Sequence, residues 1–292
     1  LRVTLFHNED AGAGRSVDEI RALIEGHGHR IVHVVDKETS AELVLERATD
    51  LVVAAGGDGT VAAAARVLAG QHIPLAILPL GTANNIAKSL CCEGPAEQLI
   101  RGWDHAQPRP LDLGIVSGDW GRDRFIESVG AGLIPAGIAA AKAERAGATA
   151  KPEDAIQSFR NVLSELPARR WTITIDGIVT IDDFLLVEVL NIPSIGPNIV
   201  LSQEADPSDG FLSVVIATEQ HRQALDDYLA HREAGHDCPL ALTPRQARRV
   251  EIQGWTDVHV DDQLLHSDAS ETVSIGIEPG ALEFLSGPCL AP

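Results

Sequence analysis

Three short stretches gather residue types that suit phosphate chemistry: HNEDAGAGRS (7–16), GGDGT (56–60) and LPLGTANNIAKSL (78–90). Each joins a strand-like run to a helix-like run, and each carries glycine with a small hydroxyl or amide residue. Glycine has no Cβ, so backbone N–H groups can approach a bulky anion closely. The N-terminus of the following helix adds partial positive charge and free N–H donors. Thr60 and Thr82 can cap those helices or donate a hydroxyl to phosphate. No G-K-[ST] follows any of the three, so none is a Walker A loop. Asp58 is the unusual member. A carboxylate beside a phosphate pocket is repelled unless a cation or a reacting proton accompanies it, and Mg²⁺ bridging nucleotide phosphates is the ordinary companion. Asp58 is therefore a candidate for organising metal-bound water or handling a proton in phosphoryl transfer. The plainer alternative is an aspartate closing a turn.

The elements that must hold these loops follow from hydrophobic periodicity. RVTLF (2–6), RIVHVVD (30–36), DLVVAA (50–55) and PLAILPL (74–80) read as strands. Between them lie helical stretches at 16–28, 40–49, 61–70 and from 84. Ser16 is the N-cap of the first, with Glu19 as its capping-box partner. Apolar strands alternating with helices predict a parallel sheet covered on both faces, and ligands of such sheets bind at the carboxyl ends of the strands, where all three loops sit. After about residue 110 the rhythm changes. RRWTITIDGIVTID (169–182) alternates around Asp176-Gly177, an Asp-Gly hairpin signature. Further strand-like runs fall at 184–192, 211–218, 249–254, 257–262, 272–278 and 281–286, with helical stretches near 153–165 and 219–234. The fold class expected is thus α/β plus β: a Rossmann-like parallel-sheet nucleotide-binding domain over 1–112, then a mainly antiparallel domain over 113–292, whose last residues return to the first.

Bulk numbers narrow the function. The chain of 292 residues carries a net charge of −19, which repels nucleic acid phosphates and disfavours broad adhesion to an anionic membrane. Arg245, Arg248 and Arg249 form a small basic cluster best read as a solvated face. No apolar run approaches the ~18–20 residues of a membrane span, and the opening LRVTLFHNEDAGAGR lacks the apolar core of a signal peptide. Four cysteines, Cys91, Cys92, Cys238 and Cys289, form no C-x-x-C pair, and adjacent Cys91 and Cys92 do not easily bridge each other. Zinc and a disulfide framework are unsupported, and a reducing, cytoplasmic setting is expected. The histidines lack H-E-x-x-H spacing, and no G-x-S-x-G elbow points to an esterase.

GGDGT followed by LPLGTANNIAKSL resembles the catalytic domain of the diacylglycerol kinase and lipid kinase family. HNEDAGAGR resembles the family's N-P-x-[AS]-G-x-G loop, with Glu9 in place of proline, and the stretch 187–216 resembles its second-domain segment ending in D-P-x-D-G-x-L. The resemblance implies a β-sandwich for the second domain and ATP, with Mg²⁺, in the cleft between domains. The γ-phosphate would pass to the hydroxyl of diacylglycerol, a related glycerolipid or a sphingoid lipid. It places Asn8 and Gly12 in the first phosphate loop, Gly57, Asp58, Gly59 and Thr60 in the second, and Gly81, Thr82 and Asn84 in the third. Thr39 matches a nucleotide-contacting position. Asp206 and Asp209, with the carbonyl of Phe211, match an accessory Mg²⁺ site, although ADPSDG is by itself an ordinary turn. The apolar residues of VGAGLIPAGIAAA (129–141) would line the lipid entrance, with Glu127 nearby. A lipid substrate implies transient, peripheral membrane contact; a homodimer is left open.

One departure matters. Where the family carries D-G-E, with the glutamate as general base, this chain has Asp261, Asp262 and Gln263. A glutamine amide has no useful basicity near neutral pH. Three outcomes follow: Asp261 or Asp262 serves as base, phosphoryl transfer proceeds on positioning and charge stabilisation with little base help, or the protein binds nucleotide and lipid without efficient turnover. An NAD kinase-like enzyme is a further alternative, against which stands the absence of the N-x-G-x-L-G-F stretch of those enzymes.

Overall fold

The computed structural model describes residues 1–7, 15–36, 45, 48–145 and 152–285. The chain divides into two units, Leu1–Leu113 with Pro279–Pro292, and Gly114–Glu278.

In the first unit β1 (Arg2–His7) lies between β2 (Arg30–Val35) and β3 (Leu51–Gly56), and β3 lies beside β4 (Leu75–Pro79), all parallel. Every residue of β3 is buried, which is why it reads as an unbroken apolar run rather than an alternation. Helix α1 (Val17–Gly26) starts as its sequence predicts. Ser16 Oγ accepts the Glu19 N–H at 3.2 Å, and Glu19 Oε2 accepts the Ser16 N–H at 2.8 Å. A capping box of this kind stabilises a helix by about 1 kcal/mol. Ile20 and Ile24, one turn apart, bury the inner face of α1 against a core that includes Val3, Leu5, Leu51, Val53 and Leu78. Helix α2 (Asp58–Leu68) follows β3, short helix α3 (Asn85–Ser89) follows β4, and α4 (Ala96–Gly102), which the sequence pattern did not predict, buries Ile100.

β5 (Pro108–Gly118) carries the chain from the first unit into the second, where it forms a hairpin with β6 (Gly121–Phe125). β7 (Ser128–Gly132), α5 (Leu133–Arg145), α6 (Pro152–Glu165), β8 (Arg169–Ile175) and β9 (Ile178–Leu190) follow. The hairpin at Asp176-Gly177 forms as predicted, with φ of 44° and 85°. The runs expected as separate strands at 178–182 and 184–192 prove to be one, because β9 changes partners midway: β8 pairs with its first half, β7 and β12 (Leu212–Thr218) with its second. A two-residue ladder, β10 (Ser194–Ile195) with β11 (Ile199–Val200), precedes β12. Helix α7 (Arg222–Glu233), β13 (Arg245–Ala247), β14 (Arg249–Gln253), β15 (Asp257–Val260), β16 (Gln263–His266) and β17 (Thr272–Leu285) complete the described chain.

The pairing here is antiparallel throughout, giving the β-sandwich unit. Phe184, Val187 and Val189 of β9 pack with Trp171, Trp255 and Val250 among the strands. Leu185, Leu186 and Leu190 pack under the helices against Phe159, Leu163 and Leu229. Burial on both faces explains the continuous apolar run FLLVEVL, interrupted only by Glu188.

One expectation needs correction. Cys91 is disulfide-bonded, whereas Cys92 and Cys238 remain thiols. The absence of a C-x-x-C pair and the adjacency of Cys91 and Cys92 were no ground for expecting every cysteine to stay reduced. Among the described residues no helix is long and apolar enough to cross a membrane.

Candidate functional site

In the first unit the second and third loops meet glycine to glycine. A Cβ at Gly81 would stand 2.4 Å from Gly57 Cα, and one at Gly57 would stand 3.2 Å from Gly81 Cα. Neither position admits a side chain without moving backbone. Asn84, itself left-handed at φ 51°, clamps the Gly81 peptide from both sides: its Oδ1 accepts the Gly81 N–H at 2.9 Å and its Nδ2 donates to the Gly81 carbonyl at 2.8 Å. Thr60 is buried on the Gly56 backbone, where a Cβ would lie 2.3 Å from its Oγ1, while Thr82 is exposed.

Asp58 locks the two loops together. It begins α2, with Gly57 as the N-cap, so its charge lies at the positive end of that helix. Its Oδ1 also accepts the Ile86 N–H at 3.0 Å, and the nearby N–H groups of Asn85 and Asn84 favour its charged form. Asp58 thus satisfies the orphan donors at the start of α3 as well. Burial pushes its pKa up; the three N–H groups and the charge of Lys88 oppose this without cancelling it. Lys88, exposed on α3 and close enough to act on Asp58, was not singled out from the sequence; the only sign of it was its place in NNIAKSL, read as helix. Asn8, Gly12 and Thr39 lie outside the described residues. His7, beside the first loop, is buried, with Nε2 on the Arg15 carbonyl at 3.1 Å.

In the second unit Asp261 and Asp262 form the two-residue turn from β15 to β16, whose first residue is Gln263. The Asp261 carboxylate turns inward and accepts the N–H groups of Glu127 at 2.9 Å and Ile126 at 3.2 Å. Asp262 and Gln263 are exposed, and the Asp262 carbonyl accepts Lys142 Nζ at 2.7 Å. Glu127 is buried rather than solvent-facing. Near this hairpin lies an apolar cavity of about 320 Å³ whose lining includes Gly132, Pro135 and Ala136, from the stretch expected at the lipid entrance, with Trp171, Phe184 and Leu264.

Asp206 and Asp209 shape their own turn. Asp206 Oδ1 accepts the Ser208 N–H and hydroxyl at 2.9 and 2.6 Å, Asp209 Oδ1 accepts the Phe211 N–H at 2.8 Å, and Asp209 Oδ2 accepts Gln246 Nε2 at 3.2 Å. Two carboxylates and a carbonyl in one turn are hard oxygen donors of the kind Mg²⁺ takes, with waters completing its shell. Among the described residues no three His, Cys, Asp or Glu side chains gather as a metal site.

Comparisons with known proteins match two successive stretches of the chain. Residues 2–116 match the diacylglycerol kinase catalytic domain, and residues 132–286 match the YegS C-terminal NAD kinase beta sandwich-like domain. A diacylglycerol kinase of Mycobacterium tuberculosis (strain ATCC 25618 / H37Rv) is 30% identical over 241 residues, covering 77% of this chain and 75% of that protein. The crystal structure of a diacylglycerol kinase from Bacillus anthracis str. Sterne aligns with a TM-score of 0.72 at 20% identity, over 99% of this chain and 98% of that one. Yeast NADH kinase complexed with NADH aligns at 0.56 and 11% identity, over 99% and 84%. At these identities the two structures show a shared fold alone.

Proposed function

We propose that this chain, which belongs to the lipid kinase family of the diacylglycerol kinase type, transfers the γ-phosphate of ATP to the hydroxyl of a diacylglycerol-like lipid. The observation that carries this reading is the Asp58 brace. It fixes two glycine turns at the carboxyl ends of parallel strands and keeps one carboxylate at the start of the helices that follow them, which supports a nucleotide-phosphate site there. Gly57, Gly59, Thr60, Gly81, Thr82 and Asn84 shape the nucleotide-phosphate side, with Asn8, Gly12 and Thr39 assigned to it by family resemblance. Asp58 would hold a water of a nucleotide-bound Mg²⁺, and Asp206, Asp209 and the Phe211 carbonyl would hold an accessory ion. When bound, such a cation offsets charge on the phosphoryl oxygens. The apolar cavity supports a lipid rather than a soluble acceptor, and such an acceptor implies reversible contact with a bilayer.

In the transfer, a lipid oxygen forms a bond to the γ-phosphorus while the bond from that phosphorus to the β,γ-bridging oxygen breaks, and ADP leaves. The hydroxyl proton passes to a carboxylate. Asp261 has its carboxylate engaged by backbone N–H groups, so Asp262, exposed on the same turn, is the acceptor we assign.

One observation favours a second reading, nucleotide and lipid binding with slow turnover: Gln263 supplies an amide where the family places its base. Loss of a general base typically costs ~10²–10⁴-fold. The deciding experiment is transfer of label from γ-labelled ATP, with Mg²⁺, into a mixed bacterial lipid extract by wild type, Asp58→Ala and Gln263→Glu. Labelled lipid from wild type, lost in Asp58→Ala, supports the kinase. Label from Gln263→Glu alone supports the slow-turnover reading. No lipid label from any of them, with NAD labelled in a parallel reaction, overturns both.

A further inference from the structure

Three strands of the second unit stand level at one point: His259 of β15 faces Gly130 of β7, which faces Glu188 of β9. The outer two residues join across the glycine, with His259 Nε2 2.8 Å from Glu188 Oε1, and their side chains are 1% and 0% exposed. A Cβ at residue 130 would lie 1.9 Å from Glu188 Oε2 and 2.7 Å from the Val187 carbonyl oxygen, so glycine here makes room for both the bridge and the neighbouring backbone. The second ring nitrogen, Nδ1, lies 2.9 Å from the Asp261 carbonyl oxygen. Both ring nitrogens thus meet acceptors, the arrangement of an imidazolium against a carboxylate. Burial works against that charge, but Glu188, and behind it Asp261, leave the His259 pKa raised.

Such a pair is a poor device for stability alone, since apolar residues of similar volume hold a fold as well or better. Its use lies in what it grips. Asp261 has φ of 51°, a conformation unfavourable for a residue with a side chain, and it is tied at every polar group. Its N–H donates to the Ser128 carbonyl at 2.9 Å, its carboxylate accepts from Ile126 and Glu127, and its carbonyl accepts from His259. The next two residues, Asp262 and Gln263, face solvent. We propose that His259 and Glu188 are positioning residues that hold the Asp261 carbonyl and thereby aim Asp262 and Gln263 at the acceptor hydroxyl. The role in transfer rests on the kinase reading above; the grip on the turn does not.

The test compares wild type, His259→Leu and the double variant His259→Leu/Glu188→Leu. It measures thermal unfolding, Mg-ATP-dependent phosphorylation of dioctanoylglycerol in mixed micelles, and the backbone amide resonances of Asp262 and Gln263. His259→Leu strands a buried carboxylate and melts about 10 °C lower, while the double variant melts within about 5 °C of wild type. In the double variant kcat falls about 10- to 100-fold with the KM for ATP within about twofold, the signature of misplaced groups in a folded enzyme, and both amide resonances shift. A double variant with wild-type kcat, or with both amides unmoved, overturns the proposal. If wild type leaves dioctanoylglycerol unlabelled, it is the kinase reading for that acceptor that fails, and the amide shifts decide the positioning role on their own.

Discussion

Asp58 in the first unit and Asp261 in the second both accept backbone N–H groups from a segment far along the chain, and they are built by different means. Asp58 reaches 28 residues ahead, from the start of one helix to the start of the next, and both helices follow strands of one parallel sheet. Asp261 reaches 134 residues back to Glu127, from a hairpin turn held by strand register. The first brace is a property of repeated βα units and keeps its carboxylate at the start of two helices, between the second and third glycine loops. The second spends its carboxylate on the backbone and leaves its exposed neighbours to face the solvent. On the proposed reading, the same chemical group would serve the reaction directly in one unit and indirectly in the other.

The widest gap between the two should appear on truncation. Asp58→Ala removes the brace and the charge together; phosphoryl transfer is expected to fall at least ~10²-fold, and stability by about 1–3 kcal/mol for the stranded N–H groups of α3. Initial rates and urea unfolding check both. Asp261→Ala strands two buried N–H groups and should cost a similar ~1–3 kcal/mol, while transfer falls by about 10-fold or more through the loosened turn. If the two variants lost activity equally at equal stability, the distinction drawn here would be wrong.

Glycine substitutions sharpen the contrast. Gly81→Ala meets the Gly57 backbone, whereas a Cβ at residue 130 would stand 1.9 Å from the Glu188 carboxylate and 2.7 Å from the Val187 carbonyl oxygen, so only the first part of its clash can be relieved by a side chain. Gly130→Ala should therefore cost less in a Glu188→Ala background than in wild type, by about 0.5–3 kcal/mol of coupling in a double-mutant cycle. Additive losses would show that the glycine is not there to admit the bridge.

Smaller effects separate the units by pH. The folded pKa of His259 is raised, so the pair contributes fully below about pH 6.5, the ordinary histidine value, and that contribution is lost as pH rises through the folded pKa. Thermal melts taken as pH rises above about 6.5 should decline in wild type and stay flatter in His259→Leu/Glu188→Leu. In the first unit, hydrogen bonds from Arg2 hold the Asp50 carboxyl down at about 2. Its contribution is present above about pH 4 and lost as pH falls toward 2. The pair is exposed, so Asp50→Asn should change stability near neutrality by no more than about 1 kcal/mol, with its signature confined to the acid limb.

The same contrast explains what the sequence disclosed. Ser16 with Glu19, the buried run at 51–56 and the glycine loops carry their structural reasons within a few residues, so α1, β3 and the second and third loops could be placed by pattern. Helix α5 was missed because LIPAGIAAA is small and apolar all round, with no polar stripe to set a period. Strand β9 was cut in two because its change of partner depends on strands distant in sequence. The inward turn of Asp261 and the bridge from Glu188 to His259 were hidden for the same reason. Each depends on which residues stand level across β15, β7 and β9, and register is not written in any one segment. Family resemblance pointed to residues 261–263 without disclosing which carboxylate faces inward.

Strand β17 has a consequence for how the molecule is made. Its end pairs with β4 through Phe284 and Leu75, and residues from Pro279 onward belong to the first unit. The first unit's sheet therefore lacks a strand until nearly all of the described chain has been synthesised. During translation the edge of β4 stays open while the whole second unit emerges and folds, so the unit that begins first is finished last. An exposed edge of buried-type strands is prone to pairing with the wrong chain, and this window is where slow synthesis or a damaged C-terminal strand should lead to aggregation.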